Sequence, residues 1–310
     1  MYSLALDYSQ NLMNDPINHI PVMAEEVSRY LTFFADACVV DATLGLGGHS
    51  ELFVQRLGGQ GRIIGIDRDE SSLKFAKERL KNFADRMRFV HADFRHIDQV
   101  LADCGVQKVD GILMDLGISS FQLDNPQRGF SFKDEGPLHM RMDQDGQVCA
   151  YDLINSLSER ELAQILREYG EERFSHRIAK YLVTARSKKP LQTTQELCET
   201  ILQAVPRSYW QQKIHPATRT FQAFRIAVNH ELESLSDALE KCVQVLKPKA
   251  RLVVIAFHSL EDRIVKHKFR HLARTETVSL ITKKPIRPQE VEVQKNARAR
   301  SARLRVVEKV

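Results

Sequence analysis

Apolar positions along this chain fall into two rhythms, and the rhythms predict its elements. Strand-length segments built on runs of apolar residues occur at 39–41, 62–67, 88–93, 109–116 and 251–259. Continuous rather than alternating runs are expected of strands buried on both faces. Between the first four lie helical patterns at 50–57, 71–83 and 97–104, and a short amphipathic helix at 21–31 precedes them. Strands and helices alternating with short connections predict a parallel sheet with helices on both faces, a fold whose ligands sit outside the carboxyl ends of its strands. Asp41, Asp67, Asp93 and Asp115 all end strands on that edge. One such acid merely caps a helix; four at corresponding positions favour a shared polar crevice.

The rhythm stops after Gly117. Residues 117–145 are irregular and carry Phe121, Phe130 and Phe132, which disfavours full disorder. Helical patterns follow at 158–169, where Ser158 and Glu161 form a capping box, at 171–185 and at 194–204. No strand signal interrupts them, so 117–216 reads as a helical domain inserted into a main domain made of 1–116 and 217–310. A single long helix is expected over 217–246, with Phe221, Phe224, Val228, Leu232, Leu235 and Leu239 on one face and Pro248 as its stop. A helix at 260–270 follows the fifth strand, and 279–284 with 301–309 alternate apolar and basic residues like a hairpin of edge strands.

The first turn carries the chemistry. Val39-Val40-Asp41-Ala42-Thr43-Leu44-Gly45-Leu46-Gly47-Gly48-His49-Ser50 reads as strand, tight turn and helix start. Asp67 follows Gly47 by about twenty residues, where the ribose-binding acid of a nucleotide-binding βαβ unit belongs. Gly45 and Gly47 fit the dinucleotide fingerprint, but Ser50 replaces its third glycine, and Asp41 adds an acid before the turn. That combination favours S-adenosylmethionine (SAM) over NAD and is similar to the first motif of class I SAM methyltransferases, with Thr43 where many of those have glycine.

Composition narrows the setting. At 310 residues and 43% apolar, the chain can bury one large core and a smaller one. No apolar run approaches the roughly 20 residues that span a bilayer, and no signal-like start is seen, so a cytoplasmic protein without membrane contact is expected. Cys38, Cys104, Cys149, Cys198 and Cys242 lie far apart with no Cys-x-x-Cys, which argues against a disulfide framework or zinc site; no metal is expected. Net charge is +5, yet residues 283–309 hold nine Lys/Arg against three Glu, leaving −1 for all the rest. Two readings of that segment stand equal: an edge strand blunted by cations, or a patch that contacts phosphates.

Longer runs carry a specific likeness. They include His19-Ile20-Pro21-Val22-Met23, the 41–50 turn, Asp115-Leu116-Gly117-Ile118-Ser119-Ser120, Arg128-Gly129-Phe130-Ser131-Phe132, Met140-Arg141-Met142-Asp143 and Gly170-Glu171-Glu172-Arg173-Phe174. Further along come His215-Pro216-Ala217-Thr218-Arg219-Thr220-Phe221-Gln222, Phe257-His258-Ser259-Leu260-Glu261-Asp262-Arg263 and Ala299-Arg300-Ser301-Ala302. With these, nearly the whole chain resembles the bacterial small-subunit rRNA cytosine-N4 methyltransferases, the RsmH (MraW) family. The resemblance implies a class I, Rossmann-like α/β fold with a mostly parallel seven-stranded sheet and an inserted all-helical domain. It implies SAM contacts at Gly47, Gly48, His49, Asp67, Phe94, Asp115 and Gln122, and 16S rRNA within the small ribosomal subunit as partner, the enzyme being a monomer or homodimer. Three positions depart from the pattern: His139 stands where the family usually has Asp, Lys249-Ala250 replaces Gly-Gly, and Asn296-Ala297 lacks a proline. His139 puts in doubt any substrate role for that carboxylate.

For such a reaction the residues must align an exocyclic amine with the SAM methyl and accept its proton or polarise its N–H bonds. Asp115 or a neighbouring backbone carbonyl is the candidate acceptor, with Ser119 and Ser120 behind it; a purely SAM-binding role for Asp115 stands equally. A base extruded from RNA needs a stacking surface, which Phe130 and Phe132 beside Arg128 offer unless they anchor the loop in the core. Arg141, His215, Arg219, His258 and the basic tail are candidate phosphate contacts. A SAM enzyme for DNA or a cell-envelope molecule, and a non-enzymatic RNA-binding module, remain as alternatives.

Overall fold

The computed structural model describes residues 21–31 and 35–310. His19 and Ile20 of the first family-like run lie outside them. The chain folds into two units, 1–117 with 234–310, and 118–233.

In the first unit the chain runs α1 (Ala24–Tyr30), β1 (Cys38–Asp41), α2 (Gly48–Arg56), β2 (Arg62–Asp67), α3 (Glu70–Arg79), β3 (Met87–His91), α4 (Ile97–Asp103) and β4 (Val109–Asp115). Among the described residues the sheet has seven strands, completed by β5 (Leu246–Ala256), β6 (Val278–Leu280) and β7 (Arg303–Lys309), in the order β3-β2-β1-β4-β5-β7-β6. The first five are parallel neighbours and β7 is antiparallel to both β5 and β6. This is the expected class I methyltransferase sheet. Successive residues of each strand point to opposite faces, so Val40, Ile64, Ile112 and Val254 enter one apolar layer while Val39, Ile63, Leu113 and Val253 enter the other. Helices cover both layers, which is why the central strands read as largely apolar.

Two expectations change here. The tail strands are not both at the edge: β7 lies between β5 and β6, and a short helix α13 (Glu290–Lys295) sits in the connection. The helix expected at 260–270 is longer, α12 (Ser259–Arg274).

The second unit contains α5 (Ser120–Asp124), α6 (Ala150–Ser156), α7 (Glu159–Gly170), α8 (Ser175–Arg186), α9 (Thr194–Ala204) and α10 (Ala217–Asn229). Capping boxes start α7 at Ser158 with Glu161 and α9 at Thr193 with Glu196. α8 starts four residues later than expected because Glu171 takes a left-handed conformation, φ 48°, that closes α7. The long helix expected over 217–246 is two: His230, φ 50°, ends α10, and α11 (Glu231–Val245) begins again. The apolar face that looked continuous serves two cores. Phe221, Phe224 and Val228 pack with Leu162, Leu166 and Ile201 of the helical unit, whereas Leu235, Leu239 and Val243 pack under the sheet. Burying Phe221 and Phe224 contributes on the order of 2–3 kcal/mol each to the helical core. The helical unit therefore ends at 233 and not at 216.

Candidate cofactor crevice and substrate residues

Strand β1 delivers Asp41 to the carboxyl rim of the sheet, where it is buried and braces the turn. Its Oδ2 accepts from Ser50 Oγ at 2.8 Å and its Oδ1 from the Thr43 amide at 3.4 Å. Burial raises the Asp41 pKa, with the His49 ring and the Ser50 hydroxyl acting the other way. Gly45 (φ 52°) and Gly47 (φ 80°) then turn the backbone through the left-handed region that glycine enters freely. A Cβ on Gly45 would meet nothing nearer than the Thr43 carbonyl at 4.0 Å, so the absent side chain leaves open space along the turn. Gly48 and His49 open α2, whose first amides have no carbonyl one turn back to bond.

Asp67 closes the turn from the neighbouring strand. Its Oδ2 accepts from the Gly45 amide at 2.7 Å and its Oδ1 from the Asp69 amide at 2.8 Å. A carboxylate has about four acceptor positions, so two stay open for ligand hydroxyls. Burial outweighs these hydrogen bonds and pushes its pKa up to about 6.

Asp115 ends β4. Its amide donates to Thr43 Oγ1 at 2.6 Å, so the residue that replaces the common glycine ties two strand ends together. Among the described residues Asp115 Oδ1 and both ring nitrogens of His49 are buried without a hydrogen-bond partner. Asp115 Oδ2 stands 3.6 Å from His49 Nε2, beyond hydrogen-bond range. Buried polar atoms left open in this way call for an external partner. The fourth acid differs. Asp93 lies two residues past β3, accepts from the Arg95 amide at 2.9 Å, and is held by Arg68 and by Ser234 Oγ at 3.0 Å. It caps a turn and leaves the crevice to three acids, while Phe94 beside it is half-buried against the sheet's apolar layer.

In the helical unit, Ser119 and Gln122 bond each other as a capping box of α5: Ser119 Oγ accepts from the Gln122 amide and Gln122 Oε1 from the Ser119 amide. The Ser119 hydroxyl thus accepts within the cap, whereas buried Ser120 Oγ has no partner among the described residues.

Several expected RNA contacts are internal. Arg128 is 5% exposed, donates to the carbonyls of Arg141 and Met142 at 2.8 Å each, and stacks over Phe130. It organises the loop; a buried guanidinium with these acceptors is not placed to take a phosphate. Phe130 is a core residue, and Phe132 packs on His215 at 4.6 Å and Phe221 at 5.1 Å. The Arg141 guanidinium donates to the Gly146 carbonyl, and Arg219 to the Glu171 carbonyl at 3.0 Å. His215 is exposed, but its Nδ1 accepts from the Ala217 amide and partial desolvation lowers its pKa. His258 is the N-cap of α12, its Nδ1 accepting from the Glu261 amide and its Nε2 lying 3.2 Å from Glu261 Oε1. His139 is exposed, with its pKa lowered by partial burial and by Arg141 and Arg128. Two cations beside it are the setting in which the family's usual Asp would be ion-paired.

The pattern of the MraW methylase family matches residues 16–310. The chain belongs to that family. It is similar to the Ribosomal RNA small subunit methyltransferase H of Pelobacter propionicus, with 49% identity over 308 residues, 94% of this chain and 98% of that protein. Proteins of the same name from Geobacter sp. and Clostridium botulinum are each 46% identical and cover 96% and 94% of this chain and 100% and 99% of their own. The cofactor of an MraW methylase is SAM, and the crevice fits it. Open acceptors on Asp67 suit ribose hydroxyls, the bare glycine turn admits a ligand at van der Waals distance, and the His49 ring nitrogens, without a hydrogen-bond partner among the described residues, suit a polar amino-acid end. Sequence reasoning missed the Thr43 bond; its signal was the departure from glycine itself.

Proposed function

We propose that this methyltransferase transfers the methyl group of SAM to the exocyclic N4 of a decoding-region cytidine in 16S rRNA, giving N4-methylcytidine. The observation that carries this reading is Asp115, a rim carboxylate whose backbone is fixed by Thr43 and whose buried Oδ1 has no donor among the described residues. The names of the relatives support the small-subunit rRNA part of it. The cofactor supplies a methyl already activated by a positive sulfur. The chain's work is then alignment and proton handling: an N4 amine is a weak nucleophile because its lone pair is shared with the ring, and accepting one of its N–H bonds localises that pair. Asp115 is the acceptor in this reading, and Asp67 holds the ribose. The helical unit, 118–233, is the substrate-recognition unit in this reading. Among its described residues the large exposed hydrophobic ring is Trp210, 48% exposed, between Arg207 and Lys213. That is a better surface for an unstacked base than buried Phe130. An rRNA substrate places the reaction in the cytoplasm.

The test is nucleoside mass spectrometry of 16S rRNA from cells lacking the protein, before and after resupplying wild type or Asp115→Asn. N4-methylcytidine absent from the deletion and restored by wild type supports the reading; its persistence in the deletion ends it. Asp115→Asn that keeps SAM affinity and loses turnover identifies the acceptor, whereas loss of affinity alone assigns Asp115 to the cofactor.

A further inference from the structure

The basic tail separates into two sets of cations. Arg305 is buried and donates to both oxygens of Asp262, and Arg303 reaches the same carboxylate at 3.2 Å. Burial alone would raise the Asp262 pKa, but the two guanidiniums hold it below the usual range. These cations are internal braces of β7.

The others face water. Ile286 and Leu304 exchange two backbone hydrogen bonds of 2.9 Å, and Leu304 is in register with Ile255 near the end of β5. Residue 286 is therefore level with the carboxyl rim of the sheet, and 287–302 form an excursion that leaves and re-enters at that rim. The excursion is anchored. Glu292 accepts from the Met23 amide at 2.6 Å just ahead of α1, and buried Ala299 and Ala302 join the apolar layer that holds Val22, Met23 and Phe53. On its outer side Arg287, Lys295, Arg298 and Arg300 are all exposed, against the single exposed acid Glu290. Arg287, Lys295 and Arg300 have no acidic partner among the described residues.

We propose that the 287–300 excursion is a phosphate rail that binds the backbone of the rRNA substrate beside the cofactor crevice. The inference rests on the rRNA reading above. Four exposed cations on an anchored support, at the rim where the reacting base has to arrive, match a polyanion whose phosphates are regularly spaced.

The experiment compares wild type with the fourfold variant Arg287→Gln, Lys295→Gln, Arg298→Gln and Arg300→Gln, measuring affinity for a protein-free 16S transcript across a salt series. Each phosphate contact adds about 0.7–0.9 to the slope of log affinity against log salt. The variant is expected to lose roughly 2–4 from that slope, about tenfold or more in affinity at moderate salt, with SAM affinity unchanged. Arg287→Lys, Arg298→Lys and Arg300→Lys together should keep the slope, which also guards against misfolding. A matched neutralisation at exposed Lys74, Lys77, Lys81 and Arg88, toward the opposite β3 edge, should leave it near wild type. An unchanged slope in the rail variant, or an equal drop in the matched one, overturns the proposal. Wild type that fails to methylate 16S rRNA at all would overturn the function reading instead.

Discussion

The hydroxyl of Thr43 accepts the backbone amide of Asp115 at 2.6 Å, joining the ends of β1 and β4 at the carboxyl rim of the sheet. Thr43→Val keeps the shape and removes the acceptor, leaving a part-buried amide unsatisfied at about 1–3 kcal/mol. SAM affinity, measured by titration calorimetry, is expected to fall about tenfold or more, with Thr43→Ser close to wild type. Equal affinity for the Val and Ser variants would detach the hydroxyl from the site.

Asp67 couples acidity to binding. Its pKa of about 6 in the fold is above the ordinary carboxylate value, so in the absence of ligand its contribution favours the fold below about pH 4 and is lost as pH rises through about 6. Ligand hydroxyls need the ionised form. SAM affinity should therefore weaken as pH falls below about 6, and Asp67→Asn should bind weakly with that pH dependence removed while unfolding at higher denaturant at pH 7. A wild-type affinity flat from pH 5 to 8 would contradict this.

Gly129 turns the loop within the helical unit at φ 69°, and a Cβ there would stand 2.1 Å from the Pro137 carbonyl oxygen. Since the obstacle is backbone, Gly129→Ala combines left-handed strain with a forced shift, together about 2–4 kcal/mol. Denaturant unfolding should register that loss. A melting curve identical to wild type would show that the loop moves aside freely.

Lys249 holds φ 66° just before the core of β5, in the position where Gly-Gly is common in the family. Its side chain is exposed, so Lys249→Gly removes strain without removing packing and should stabilise the protein by about 0.5–1 kcal/mol. A destabilised Lys249→Gly would mean that the lysine makes a contact worth more than its backbone strain.

The sheet was readable because its strands are buried on both faces and end in acids at one rim, so composition and position agreed. Breaks made by backbone conformation alone were not readable. His230 adopts left-handed geometry without any Gly or Pro to mark it, so one long amphipathic pattern concealed two helices feeding two cores; at Glu171 the left-handed residue is the one after Gly170, not the glycine itself. Arg128 shows a second limit. A guanidinium satisfied by main-chain carbonyls looks, in sequence, like one waiting for a phosphate, and only its 5% exposure separates the two. Asp93 resembled Asp67 and Asp115 for the same reason, although its oxygens serve Arg95, Arg68 and Ser234.

β4 and β5 are paired neighbours, yet about 130 residues separate Asp115 from Leu246. Closing a flexible loop of that length is entropically dearer than closing one a tenth as long by about 2 kcal/mol. A helical unit that has already condensed shortens the effective tether to the distance between its two ends. The expected assembly order is that the helices, rich in local contacts, form early and the second half of the sheet pairs afterwards. Lesions such as Gly129→Ala should then delay completion of the sheet, measurable as a refolding lag in its tertiary signal.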